Sequence, residues 1–109
     1  MVTVPRFDWD AGNRDKCTKH GVAVDDIENV FRTSLIVIPD PEHSRSEPRF
    51  RAIGRTAGGR HVFVVFTIRR GGGTEHIRPI SARYMHRKEV TAYEEANPVP
   101  EEDPDVQDR

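Results

Sequence analysis

The middle of the chain is rich in side chains that bind phosphate or carry protons. Residues 43–93 contain 11 basic side chains against three acidic ones, and ten of the 11 are arginines. Four of the five histidines lie in the same segment. A planar guanidinium group can donate two parallel hydrogen bonds to two oxygens of one phosphate. An imidazole group gains and loses a proton near neutral pH. This segment therefore carries the residue types that phosphate binding and proton transfer require.

The charge pattern leaves two interpretations open. The net charge of −1 combines −3 for residues 1–42, +8 for residues 43–93 and −6 for residues 94–109. The basic segment either faces a polyanion or an acidic protein partner, or it forms a well-solvated sheet with a charged outer face. Clustering along the sequence does not decide between them, because it does not establish clustering in space.

Several classes of chemistry are not indicated. The chain has one cysteine, Cys17, which excludes an internal disulfide framework and any multi-cysteine metal site. It has no His-Glu-x-x-His pattern, no Walker-type phosphate loop and no apolar run near the roughly 20 residues of a membrane span. We therefore expect a reduced, cytoplasmic, soluble protein that uses no metal or cofactor and does not enter a membrane.

The apolar pattern predicts three helices and four strands. Asp10 is placed to cap a helix that runs to about residue 20, and Gly21 is placed to end it. A second helix is predicted over residues 24–31 and a third over residues 83–95. The predicted strands cover residues 35–38, 50–54, 61–68 and 75–82.

These elements predict an α+β fold with two N-terminal helices, a mainly antiparallel sheet and a C-terminal helix. Residues 61–68 are almost continuously apolar, so we expect a central strand covered on both faces. Pro79 cannot donate to a neighbouring strand, so it should lie at an edge or a bulge. Gly71-Gly72-Gly73 reads as a hairpin turn. Residues 1–96 should form one domain, followed by a disordered acidic tail over residues 97–109.

Four local patterns occur in one order along the chain, and together they resemble the BrnT family of bacterial toxins. They are Phe7-Asp8-Trp9-Asp10, then Lys19-His20-Gly21-Val22, then Phe50-Arg51-Ala52-Ile53-Gly54-Arg55, then Ile80-Ser81-Ala82-Arg83 followed by Arg87-Lys88-Glu89 and Tyr93-Glu94. The resemblance runs from about Phe7 to Glu95. It implies a RelE-like fold and a metal-independent endoribonuclease that inhibits translation.

The resemblance also implies a partner. This is a cognate antitoxin with a ribbon-helix-helix DNA-binding domain, through which the complex would bind its operator DNA. The chain departs from the family pattern at Ala23, where a Ser or Thr usually caps the second helix, at a cost of about 1 kcal/mol. It departs again at His86, where a Thr usually pairs with Glu89 in a capping box.

Five residues are candidates for catalysis. Arg83 ends the last predicted strand and opens the last helix, so it either contacts phosphate or forms a structural ion pair. Arg55 also ends a strand. Lys19 and His20 end the first helix, where the helix dipole favours cations whatever their function. His86 is either a general acid or base or an imperfect helix cap.

A further group of cations is predicted to bind RNA without individual roles. They are Arg49, Arg69, Arg70, Arg78, Arg87 and Lys88. The same cations fit a different class of protein, a non-catalytic basic module that binds nucleic acid or an acidic partner, and also an inactive toxin kept for partner binding. The acidic tail either folds over the basic segment or only aids solubility.

Overall fold

The computed structural model describes residues 6–33, 36–41 and 47–96. Its helices are α1 (Ala11–Thr18), α2 (Val24–Arg32) and α3 (Arg87–Ala96), and its strands are β1 (Ile36–Pro39), β2 (Phe50–Arg55), β3 (His61–Gly71) and β4 (Thr74–Tyr84). The element order and the α+β class are as the sequence predicts. The predicted acidic tail lies outside the described residues, and the domain boundary at residue 96 stays a prediction.

The four strands form one antiparallel sheet in the order β1-β2-β3-β4. The pairing of β3 with β4 shifts where Val65 faces Ser81 and Phe66 faces Pro79, so Ile80 is an extra residue on β4. Pro79 thus lies beside a bulge in an outer strand, which confirms the prediction from its missing N–H.

A tight turn joins β3 to β4. Gly71 pairs with Thr74, and the two residues between them, Gly72 and Gly73, both have positive φ angles, of 59° and 81°. A two-residue turn with positive φ at both positions matches the twist of the strands, and glycine adopts it without strain. The predicted turn is confirmed. β3 ends at Gly71 and β4 begins at Thr74, so both strands extend closer to the turn than the predicted ends at residues 68 and 75.

One face of the sheet packs against α1 and α2. Its core contains Val62 and Val64 of β3 together with Cys17 of α1 and Ile27 and Val30 of α2, all fully buried. Successive strand residues point to opposite faces, so Phe63 and Val65 lie on the other face, where they are only half-buried. The expectation that β3 is covered on both faces was wrong for these residues, because neither α1 nor α2 reaches that face.

The start of α3 also differs from the sequence prediction. Arg83 and Tyr84 belong to β4, and the helix begins at Arg87. Strand pairing extends to Tyr84, which faces Val62, and so prevents the chain from turning helical at Arg83. Tyr93 of α3 contacts the ring of His61 at 5.6 Å, which brings α3 to the half-open face at one end of the sheet.

Asn13 attaches α1 to the sheet. Its Nδ2 donates to the carbonyl oxygens of Asp8 at 2.9 Å and Pro79 at 2.8 Å, and its Oδ1 accepts from the N–H of Asp10 at 2.7 Å. Asp10 in turn caps the helix by accepting from the N–H of Asn13, as the sequence predicts. This buried amide therefore serves the helix cap and the bulge of β4 at once.

We expect Asn13→Ala to lower the free energy of unfolding by about 3 kcal/mol, because three backbone groups lose their partner. Lys16→Ala, at an exposed position on the same helix, is the matched control and should change stability by less than about 0.5 kcal/mol. Urea denaturation of both variants provides the measurement. A loss below about 1 kcal/mol for Asn13→Ala would contradict this role.

Candidate active site

Two open cavities meet at Arg83, near the end of β4. The first, of about 230 Å³, lies on the half-open face of the sheet and is lined by His20, Arg51, Phe63, Val65, Ser81, Ala82 and Arg83. The second, of about 390 Å³, lies at the end of β4 and is lined by His20, Arg60, Arg83, Tyr84, Met85 and His86. Arg83 and His20 line both, so these two side chains join the cavities into one candidate site.

The structure brings together three of the five predicted catalytic residues. Arg83 and His20 line both cavities, and His86 lines the second. Lys19 lies in the turn after α1 and Arg55 at the end of β2, and both are exposed without lining either cavity. The spatial grouping thus favours the arginine and the two histidines, while the role of every one of the five stays a prediction.

The Glu89 carboxylate fixes the position of Arg83. Arg83 donates from Nη1 to Oε1 of Glu89 at 2.7 Å and from Nη2 to Oε2 at 2.8 Å, a bidentate pair. Oε1 also accepts from the backbone N–H of His86 at 2.8 Å. One carboxylate therefore joins the end of β4, the connecting turn and the first turn of α3.

These contacts shift the pKa values of both partners. The hydrogen bond from Arg83, followed by that from the His86 N–H, lowers the pKa of Glu89 to about 2. The bond to Glu89 raises the pKa of Arg83 above its ordinary value. Arginine is a permanent cation in proteins, so Arg83 can stabilise developing negative charge but cannot act as a general base.

The structural interpretations of Arg83 and His86 correspond to observed contacts, and their functional interpretations stay predictions. Arg83 forms the ion pair that was the alternative to a functional role, yet its side chain is 40% exposed and lines both cavities. Glu89 supplies its half of the capping box by accepting from the His86 N–H, while the His86 side chain is exposed towards the second cavity. The ion pair positions Arg83 without burying it.

Sequence reasoning missed Arg51, Phe63 and Arg60 as site residues. The guanidinium carbons of Arg51 and Arg83 lie over the Phe63 ring, at 5.3 and 4.6 Å from its centroid. Arg60 lies over the ring of Tyr84 at 3.5 Å. The alternation along β2 already placed Arg51 on one face, but only the register with β3 shows that it meets Phe63.

The predicted RNA-binding cations are spread over several surfaces. Arg78 is bound by Asp8 at 3.3 Å and Asp10 at 2.8 Å, and Arg69 pairs with Glu47 at 3.1 Å. Arg70 pairs with Glu75 near the hairpin turn. Arg49 is half-buried before β2, and Arg87 and Lys88 are exposed in the first turn of α3. None of the six lines either cavity, and their role in RNA binding stays a prediction.

The environment of Cys17 does not favour a nucleophilic role. Cys17 is fully buried, and burial raises the pKa of its thiol to about 11, so it stays protonated and inaccessible. Within residues 6–33, 36–41 and 47–96, no cluster of three or more His, Cys, Asp or Glu side chains is placed to hold a metal ion. Within the same residues, no helix is long and apolar enough to cross a membrane.

The fold and the site define a small α+β domain whose half-open sheet face carries cavities lined by arginine and histidine side chains. A family model described as the ribonuclease toxin, BrnT, of type II toxin–antitoxin systems matches residues 9–89. The chain therefore belongs to the BrnT family, which confirms the resemblance found in the sequence. It is a ribonuclease toxin with RNA as substrate and an antitoxin as partner. A comparison with curated proteins found no match.

The lowered pKa of Glu89 predicts how stability depends on pH. Folding favours the ionised carboxylate, so its contribution is fully present above the ordinary value of 4.5 and is lost as the pH falls towards about 2. We expect Glu89→Gln to be less stable than the wild type at pH 7, with the difference vanishing over that interval. Glu94→Gln, at an exposed position on α3, should show no such difference.

Chemical denaturation across this pH range, together with an NMR titration of the Glu89 carboxyl carbon, checks the prediction. The other carboxyl groups are the same in the wild type and in Glu89→Gln, so their effect on the free energy of unfolding cancels in the comparison. A Glu89 midpoint near 4.5 would show that the pair with Arg83 does not hold in solution.

Proposed function

We propose that the protein is a metal-independent endoribonuclease whose site is centred on Arg83, and that RNA cleavage inhibits translation in the cytoplasm. The observation that carries this proposal is the convergence of Arg83, His20 and His86 on adjoining cavities. A fixed cation beside two imidazole groups provides the two capabilities that phosphodiester cleavage needs, charge stabilisation and proton transfer.

In the proposed reaction the ribose 2′-oxygen attacks the adjacent phosphorus, and the bond from phosphorus to the 5′-oxygen breaks. One histidine accepts the proton of the 2′-hydroxyl, and the other gives a proton to the leaving 5′-oxygen. The products are a 2′,3′-cyclic phosphate and a free 5′-hydroxyl. Arg83 stabilises the negative charge that grows on the non-bridging oxygens, so no metal ion is required for the charge.

The antitoxin is proposed to carry a ribbon-helix-helix DNA-binding domain, so that operator DNA is bound only through the complex. Membership of a type II toxin–antitoxin family supports the existence of the partner. The half-open face around Arg83, where both cavities open, supports a mode of inhibition in which the antitoxin prevents RNA from reaching the site.

We expect Arg83→Ala to reduce RNA cleavage in excess EDTA at least about 100-fold, because a fixed donor to the developing charge is lost. Arg32→Ala removes an arginine of α2 whose side chain is 45% exposed and lines neither cavity, and it should cleave like the wild type. Thermal unfolding and circular dichroism should establish that both variants fold.

The measurement is the rate at which a labelled single-stranded RNA is cleaved by purified protein, with product ends identified by mass. Full activity of Arg83→Ala would show that the site lies elsewhere. Salt-sensitive RNA binding without cleavage by the wild type would instead favour a non-catalytic basic module.

A further inference from the structure

A row of five side chains crosses the half-open face of the sheet. It consists of Asp40, Arg51, Phe63, Arg83 and Glu89, and we call it the arginine row. Arg51 lies 3.7 Å from Asp40, Arg83 pairs with Glu89 at 2.7 Å, and both guanidinium groups lie over the Phe63 ring. Each arginine therefore has a carboxylate on its outer side and the aromatic ring on its inner side.

Strand pairing explains why the row forms. Phe63 lies on the central strand β3 and directly faces Arg83 on β4, while Arg51 on β2 faces Val65, the next residue along the same face. Cross-strand and diagonal neighbours on one face are close enough for long side chains to meet. The two arginines thus approach the ring from opposite neighbouring strands.

The ring and the carboxylates hold the two arginines in place before any ligand arrives. A guanidinium group is attracted to the face of an aromatic ring, and it loses little further freedom when it binds if it is already ordered. The side chain of Asp40 is only 2% exposed, so the anchor of Arg51 is itself fixed in the fold. The distances to one centroid put the two guanidinium carbons within about 10 Å of each other.

Both arginines keep hydrogen-bond donors for a ligand. Glu89 takes two of the five N–H groups of Arg83, and the Tyr84 carbonyl accepts a third at 3.3 Å, so within the described residues two remain. Arg51 contacts Asp40 at 3.7 Å, too far for a direct hydrogen bond. Both side chains line the same cavity of about 230 Å³.

We propose that Arg51 and Arg83 bind two neighbouring phosphates of one RNA strand, and that Phe63 is the positioning residue that keeps them paired. This inference rests on the proposed function, because it takes RNA to be the ligand of the cavity. It assigns a substrate contact to Arg51 and gives Phe63 a role that acts through the two arginines.

The test uses a single-stranded oligonucleotide whose 2′-oxygens are methylated, so that it binds but cannot be cleaved. Its affinity for the full chain is measured at several salt concentrations. A phosphate contact contributes about 0.7 to the slope of log K against log salt for single strands. We expect Arg51→Ala to lower the slope by about 0.7 and to weaken binding about tenfold at low salt.

Phe63→Leu should also weaken binding and lower the slope, although both arginines are still present. Phe63→Tyr keeps the ring and should restore both values. Val37→Ala is the control, since it truncates an apolar side chain on β1 that is 47% exposed and lines neither cavity. Thermal unfolding of each variant separates a loss of binding from a loss of fold.

Wild-type binding by a folded Phe63→Leu, or equally weak binding by Phe63→Tyr and Phe63→Leu, would overturn the role of the ring. An unchanged slope for Arg51→Ala would overturn its phosphate contact, and so would a wild type that does not bind the oligonucleotide. The proposed function is tested separately by cleavage of unmodified RNA. A wild type that binds with these slopes but never cleaves would refute the proposed reaction and leave the phosphate pair standing.

Discussion

The candidate site depends on the bond between Arg83 and Glu89. Arg83 is the penultimate residue of β4 and Glu89 lies in the first turn of α3, so one ion pair links the end of the sheet to the start of the helix. α3 has no buried residues, and its attachment relies on such polar contacts and on Tyr93 against His61. The same bond holds Arg83 between two cavities. The contact that explains Arg83 structurally therefore also places it where the proposed function requires it.

The other elements of the fold position the residues of that site. α1 and α2 bury one face of the sheet around Val62 and Val64, which leaves the alternate residues of β3 on the opposite face. Asn13 fixes α1 against the bulge of β4, and the turn that follows α1 carries His20 to the edge of both cavities. A helix–sheet contact on one face thus determines which groups meet on the other.

Much of the fold was predictable from local chemistry, and much of the site was not. Asp10, Gly21 and Pro79 each have a specific backbone preference, so the helix cap, the helix end and the bulge could be inferred from the sequence. The sequence prediction placed Arg83 at the start of a helix, because the residues that follow it favour a helix. In the structure, pairing with β3 keeps Arg83 in β4. The sequence did not indicate Arg51 and Phe63 as site residues, because their contact depends on the register between β2 and β3. The residue types along one strand do not specify that register.

The central claim is that Glu89 acts on cleavage through Arg83. A double-mutant cycle with Arg83→Ala, Glu89→Gln and the combined variant tests it most directly, using single-turnover RNA cleavage rates in EDTA. The account predicts that Glu89→Gln slows cleavage in the wild-type background and has no further effect once Arg83 is gone. Independent effects that multiply in the double variant would show that Glu89 and Arg83 do not act as a unit.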